Sequence, residues 1–183
     1  ANKAWIEAVK ADLATHEENI VGRLQKIYGQ PMPKQKIRVD LGIYASWAGA
    51  YSYTEGDEHI IIGSFENANQ GKLGVEIVFH EGSHFLIDSI YNFVDEYSKA
   101  KKVRINRGQT WHVVLFYTTG NVVKEVYAAK NVSFEPYYKH AKFEENIPPF
   151  KLTTAALALH WDPYMRGEGN MQESMTKVMD YIF

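Results

Sequence analysis

The sequence predicts an α+β fold, an antiparallel or mixed sheet of about three strands packed with several helices. Three short β-like runs fall together between residues 36 and 62. On either side of them, apolar residues recur at helical spacing. No linker, low-complexity tract or internal repeat divides the 183 residues, so a single domain spanning 1–183 is the simplest organisation. A chain of that length can bury about 70% of its unfolded surface.

The first helix is expected over residues 3–28, where Trp5, Val9, Leu13, Ile20, Leu24 and Ile27 form one stripe. Gly29 and the prolines at 31 and 33 end it. His16 lies among polar neighbours and reads as a solvated surface residue. Three strands follow, at residues 36–44, 48–54 and 59–62, and Glu55-Gly56-Asp57 joins the last two as a hairpin turn. After a polar loop, one long central helix is expected over residues 73–100, closed by Lys99, Lys101 and Lys102, whose charge favours the helix dipole. Gly82 inside it costs about 1 kcal/mol relative to Ala, which a close-packed neighbour or a cleft floor would explain. Residues 109–130 read as a buried or half-buried helix that Gly120-Asn121 could interrupt. Beyond them come a short helix near 137–143, a loop at 145–149, and closing helices at 154–159 and 171–182.

Composition removes several function classes. The net charge of −2, with Lys and Arg dispersed, gives no electrostatic case for nucleic acid or anionic membranes. No apolar run is long enough to span a bilayer. The chain has no cysteine, so disulfides, thiolate metal sites and cysteine nucleophiles are excluded together. It opens on Ala1 instead of Met, and the expectation is a secreted or periplasmic protein whose signal has been removed.

The chemistry concentrates in residues 75–86, Val-Glu-Ile-Val-Phe-His-Glu-Gly-Ser-His-Phe-Leu. Here His80, Glu81 and His84 form the pattern H-E-x-x-H. At about 100° per residue, the two histidines stand one helical turn apart on one face. Two imidazoles so placed can hold one Zn²⁺, and Glu81 beside them can take a proton from an attacking water. The alternative is a pair of surface histidines flanking a solvated glutamate. Val75, Ile77, Val78, Phe79, Phe85 and Leu86 argue against it, because a helix so apolar is mostly buried, and buried His and Glu need partners.

Through His80, Glu81 and His84 the sequence resembles the zincin superfamily of metallohydrolases, largely zinc peptidases. The resemblance implies a zincin-like fold with these residues on an active-site helix, a catalytic zinc, ligands at His80 and His84, and a general base at Glu81. It also implies a strand beside the metal that pairs with an extended peptide or protein substrate. The run His59-Ile60-Ile61-Ile62 is the candidate for that strand, with a covered or interior strand as the equal alternative.

A third ligand must come from another element. Asp95 lies about three turns beyond His84, roughly 16 Å along a continuous helix, and with Glu96 it is set aside. His112 and Glu125, thirteen residues apart on one straight helix, point about 140° away from each other, so at most one can face the metal. Glu125 would suit the gluzincin pattern, yet it sits near Lys124 and Lys130 on what reads as a wet face. His112 is enclosed by Trp111, Val113 and Val114, a setting that suits either a satisfied core histidine or a ligand. The stretch Trp111-His112-Val113-Val114-Leu115-Phe116-Tyr117-Thr118-Thr119-Gly120 resembles one in poorly characterised bacterial H-E-x-x-H proteins, as does, more faintly, His160-Trp161-Asp162-Pro163-Tyr164. That resemblance favours a three-histidine site with His112; Glu125 remains the alternative if Gly120-Asn121 breaks the helix.

Tyr117 is named as a phenol able to donate to an oxyanion. Asp88 could orient a ligand histidine or be a plain solvated residue, and His140 and His160 are taken as structural or rim residues. The function expected is that of a zinc-dependent hydrolase, most simply a peptidase. The alternative is a non-catalytic metal-binding or interaction protein that retains a zincin fold.

Overall fold

Helical periodicity runs unbroken from the start of the computed structural model, which describes residues 2–45, 49–104 and 107–183. Helix α1 (Asn2–Tyr28) buries Trp5, Val9, Ile20, Leu24 and Ile27 along one stripe, and Gly29, at φ +67°, turns the chain out of it. His16 departs from the solvated residue expected. It is 7% exposed, its ring edge-on to Tyr127 at 5.1 Å, because the helix carrying Tyr127 packs along α1 and covers that side.

Three strands form a mixed sheet: β1 (Arg38–Gly42), β2 (Ala50–Tyr53) and β3 (His59–Gly63), in the order β1-β3-β2. Ala48, where the second strand was expected to begin, lies outside the described residues. The expected hairpin joins β2 to β3, with Tyr53 opposite His59 and Ala50 opposite Ile62, and Gly56 takes the turn at φ +81°. β1 lies parallel to β3 on its other side, Arg38 opposite His59. The expectation of a substrate-pairing edge at residues 59–62 is therefore corrected: β3 is the central strand, and its donors and acceptors are taken by neighbours on both sides. The strand at the margin nearest the histidines is β2.

The single central helix is also corrected. It breaks into α2 (Gly71–Ser83) and α3 (Asp88–Lys101). Across the break the backbone tightens to i→i−3 bonds, from His84 N to Glu81 O, Phe85 N to Gly82 O and Leu86 N to Ser83 O. Ser83 contributes to this: its hydroxyl donates to the Phe79 carbonyl at 2.7 Å, a back-bond that bends helices. Gly82 answers no steric demand, since a Cβ there would meet only Met32 Cε at 3.6 Å.

Helix α4 (Arg107–Ala128) runs through Gly120-Asn121 without interruption. Gly120 serves packing instead. A Cβ there would stand 2.7 Å from Pro136 Cβ and 2.8 Å from Glu76 Oε1, so only glycine lets α4 pass this close to α2. The expected helix and loop over 137–149 resolve into two single turns, α5 (Tyr137–His140) and α6 (Phe143–Asn146). α7 (Pro148–His160) begins earlier than periodicity suggested, with proline in its first turn, where the missing N–H costs nothing. A turn, α8 (Asp162–Met165), leads to α9 (Met171–Ile182), whose cap Asn170 accepts the Glu173 N–H at 2.9 Å. Trp161, fully buried between α7 and α8, donates from its indole nitrogen to Thr118 of α4. Among the described residues, no helix is long and apolar enough to cross a membrane.

Candidate metal centre

α2 and α4 pack against each other, and the contact brings three histidines from two elements to one point. His80 sits in the last turn of α2, His84 caps its C-terminus, and His112 faces them from α4. The ring centroids form a near-equilateral triangle: 5.4 Å from His80 to His84, 5.2 Å from His80 to His112 and 5.4 Å from His84 to His112. Each ring offers a nitrogen within 4.8 Å of the others'. The Nε2 atoms of His80 and His112 stand 3.2 Å apart, close to the roughly 3.3 Å that two ligands subtend in a tetrahedral zinc site with bonds of about 2.0–2.1 Å. The break after Ser83 does not disturb this, because His84 keeps helical backbone angles.

Burial keeps these rings uncharged, the state in which an imidazole can bind a metal. It holds the His80 imidazole well below its ordinary pKa, with the neighbouring His112 and His84 adding to the effect. His84 and His112 are lowered to about 4, again chiefly by burial. Neutral imidazoles each keep one nitrogen lone pair, so with a suitable choice of tautomers the three rings can offer nitrogens to one cation. The donor set fits a zinc ion held by three nitrogens with a fourth position open. Trp111 stands edge-on to His84 at 5.5 Å, and Phe116 lies over His80 at 3.8 Å, so the rings are fixed by packing. His80 Nδ1 is buried without a protein partner.

Glu81 is beside the triangle, its Oε2 3.9 Å from His84 Nε2. Burial pushes its carboxyl up to about 7, and the hydrogen bond from Ser52 works against that rise. The Ser52 hydroxyl lies 2.5 Å from Glu81 Oε2 and 2.8 Å from Glu81 O, tying the carboxyl to strand β2. A carboxyl poised near 7 can take up and return a proton at neutral pH.

The other candidates fall elsewhere. Glu125 points away from the histidines, its side chain 52% exposed and ion-paired to Arg23 of α1, as the phase of an unbroken helix requires. Asp95 pairs with Lys99 at 2.5 Å, and Glu96 and His140 are exposed. His160 packs on Tyr181. Asp88 heads α3, exposed at the cavity edge. Tyr117 does not join the site: its hydroxyl donates to Asp162 at 2.9 Å, on the far side of α4 from His112. The stretch 160–164 is architectural, with Trp161 buried, Asp162 accepting from Tyr117, and Tyr164 donating to the Ile27 carbonyl at 2.6 Å.

Three residues at the site were not read from the sequence. Ser52 is one. Tyr137 is a second: it lines the cavity, and its phenol is raised by burial and by the charges of Glu76, Glu66 and Glu81. Glu76 is the third, one turn before His80 on α2 and 0% exposed. Its Oε2 accepts the Tyr137 N–H at 2.7 Å, its Oε1 has no protein partner, and burial raises its carboxyl to about 8. A cavity of about 1090 Å³ opens above the histidines and Glu81, with β2 on one side and α5–α7 on the other.

Fold and site together define an α+β chain with a three-histidine cluster and an adjacent buried carboxyl on a cavity floor. Compared with known proteins, the chain matches no family model, no curated protein and no solved structure.

Proposed function

We propose that the chain is a zinc-dependent hydrolase of zincin-like build, acting on peptide bonds. The observation that carries this reading is the triangle of His80, His84 and His112 beside the Glu81 carboxyl on the floor of an open cavity. A zinc ion held there would supply Lewis acidity to the attacking water and to the scissile carbonyl. Glu81 takes the proton of that water and returns it to the leaving amine, the role its pKa of about 7 suits. Ser52 holds the Glu81 carboxyl in place between those transfers. Tyr137, replacing Tyr117 in this role, offers a hydroxyl to the charge that develops on the substrate oxygen.

The substrate backbone lies along β2, which replaces residues 59–62 as the recognition strand. β2 pairs with β3 on one side, and its Ala50, Tyr51 and Ser52 line the cavity. An inert metal site would be better served by a closed cleft. The segment over residues 137–150 forms a wall of the cavity without filling it, which favours turnover.

The test compares wild type with Glu81→Gln on a peptide library after both are loaded with one equivalent of zinc. Glu81→Gln retains the metal and loses hydrolysis. Hydrolysis that survives the change, or zinc retained undiminished by His80→Ala, contradicts the assignment.

A further inference from the structure

The two sides of the cavity differ in kind. On the β2 side stand a strand margin, the small or polar side chains of Ala50, Ser52 and Thr54, and a single aromatic ring, Tyr51. The opposite wall is aromatic and is assembled from four helices: Phe116 of α4, Tyr137 of α5, Phe143 of α6 and Phe150 of α7. These rings pack on one another, Phe116 with Phe143 at 5.3 Å, Phe143 with Phe150 at 5.0 Å and Phe116 with Tyr137 at 5.8 Å. Phe116 also covers His80, so the wall reaches the metal centre without a gap. Among the described residues, no lysine or arginine lines the cavity; its acids are Glu81 and Asp88.

Folding buries Phe150 but leaves Phe116, Tyr137 and Phe143 half-buried, with part of their apolar surface facing a cavity of about 1090 Å³. A ligand that covers them recovers the hydrophobic free energy this exposure forgoes. A chain extended along β2 sends alternate side chains to opposite faces, so a residue beside the scissile bond points at the wall. A charged group there would be desolvated without a partner.

We infer that the Phe116–Phe143–Phe150 wall selects an uncharged stretch of polypeptide carrying a large apolar side chain next to the bond cut. This rests on the peptidase reading for the identity of the ligand, but the selection is a binding property and can be measured without turnover.

The experiment titrates Glu81→Gln protein, zinc-loaded and zinc-free, with acetyl- and amide-blocked tetrapeptides that differ at one position: Phe, Leu, Ala, Lys or Glu. Isothermal calorimetry reads the affinity. The Phe and Leu peptides bind at least about ten-fold more tightly than the Ala peptide, and the Lys and Glu peptides bind more weakly than it does. Phe143→Ala, with circular dichroism and zinc content unchanged, brings the Phe-to-Ala ratio below about three-fold. If that variant unfolds, the conservative Phe116→Leu must still lower the Phe-to-Leu ratio. Equal affinities across the five peptides, no peptide binding, or tighter binding of decanoyl amide than of any peptide overturns the inference. The two readings fail separately. Apolar selection in a wild-type protein that cuts nothing refutes the hydrolase reading alone, whereas hydrolysis without side-chain selection refutes the wall alone.

Discussion

Glu76→Gln should stabilise the protein, and the gain should grow with pH. The Glu76 carboxyl is wholly buried on α2, one turn before His80, and burial raises its pKa to about 8 against an ordinary 4.5. A carboxyl raised on folding keeps a proton that the unfolded chain releases. Its contribution to stability is complete below pH 4.5 and is lost as pH rises toward 8. Each pH unit in that window costs about 1.4 kcal/mol. At pH 7 the accumulated loss is roughly 3 kcal/mol, and above pH 8 it levels off near about 5 kcal/mol. Glutamine has the same shape and no charge to release. Its carbonyl can accept the Tyr137 N–H, and its amide stands where the protonated oxygen stood. Urea unfolding of both proteins at pH 5, 6, 7 and 8, with excess chelator so that metal binding does not enter, gives the difference directly. Groups shared by the two proteins, Glu81 and the three histidines included, cancel from it. A difference that stays constant from pH 5 to pH 8 refutes the reasoning, because Glu76 would then ionise as freely folded as unfolded.

His112→Ala lowers zinc affinity by orders of magnitude while Glu125→Ala leaves it within a few-fold, once circular dichroism shows both folded; the reverse order restores the gluzincin assignment. Gly120→Ala destabilises by about 1–3 kcal/mol in thermal or urea unfolding, since its Cβ would press on Pro136 and on the Glu76 carboxyl; a neutral result would mean that α4 can shift. Ser52→Ala removes the hydrogen bond that holds the Glu81 carboxyl down, so its pKa rises above its wild-type value in a carbon-13 NMR titration of the metal-free protein. A fall would show that Ser52 does not stabilise the charged form.

Local patterns proved legible where local interactions decide. The stripe of α1, the closing helix α9 and the Gly56 hairpin follow from spacing and turn chemistry. So does the pairing of His80 with His84, whereas the apolar company of His112 suited a core histidine as well as a ligand. Non-local choices were not legible in the same way. That β1 crosses to pair with β3, sending β2 to the margin, is a matter of chain topology that the apolar run Ile60-Ile61-Ile62 does not encode. The break after Ser83 depends on where one hydroxyl finds its acceptor. Two misses were avoidable from phase. Tyr117 is five residues past His112, about 140° around the helix, so the face shared with His112 belongs to Phe116. Glu76 precedes His80 by four residues in the same apolar run, on the same face. Tyr137 and Ser52 reach the site from other elements, and no spacing connects them to it.

The central claim is that His80, His84 and His112 hold one zinc ion and leave a position open. X-ray absorption at the zinc edge of the zinc-loaded protein tests it most directly. The expected spectrum fits three imidazole nitrogens and one further light-atom ligand at about 2.0–2.1 Å, and the imidazole count falls to two in His112→Ala. Two imidazoles or fewer in the wild type, or a spectrum that His112→Ala leaves unchanged, would contradict it.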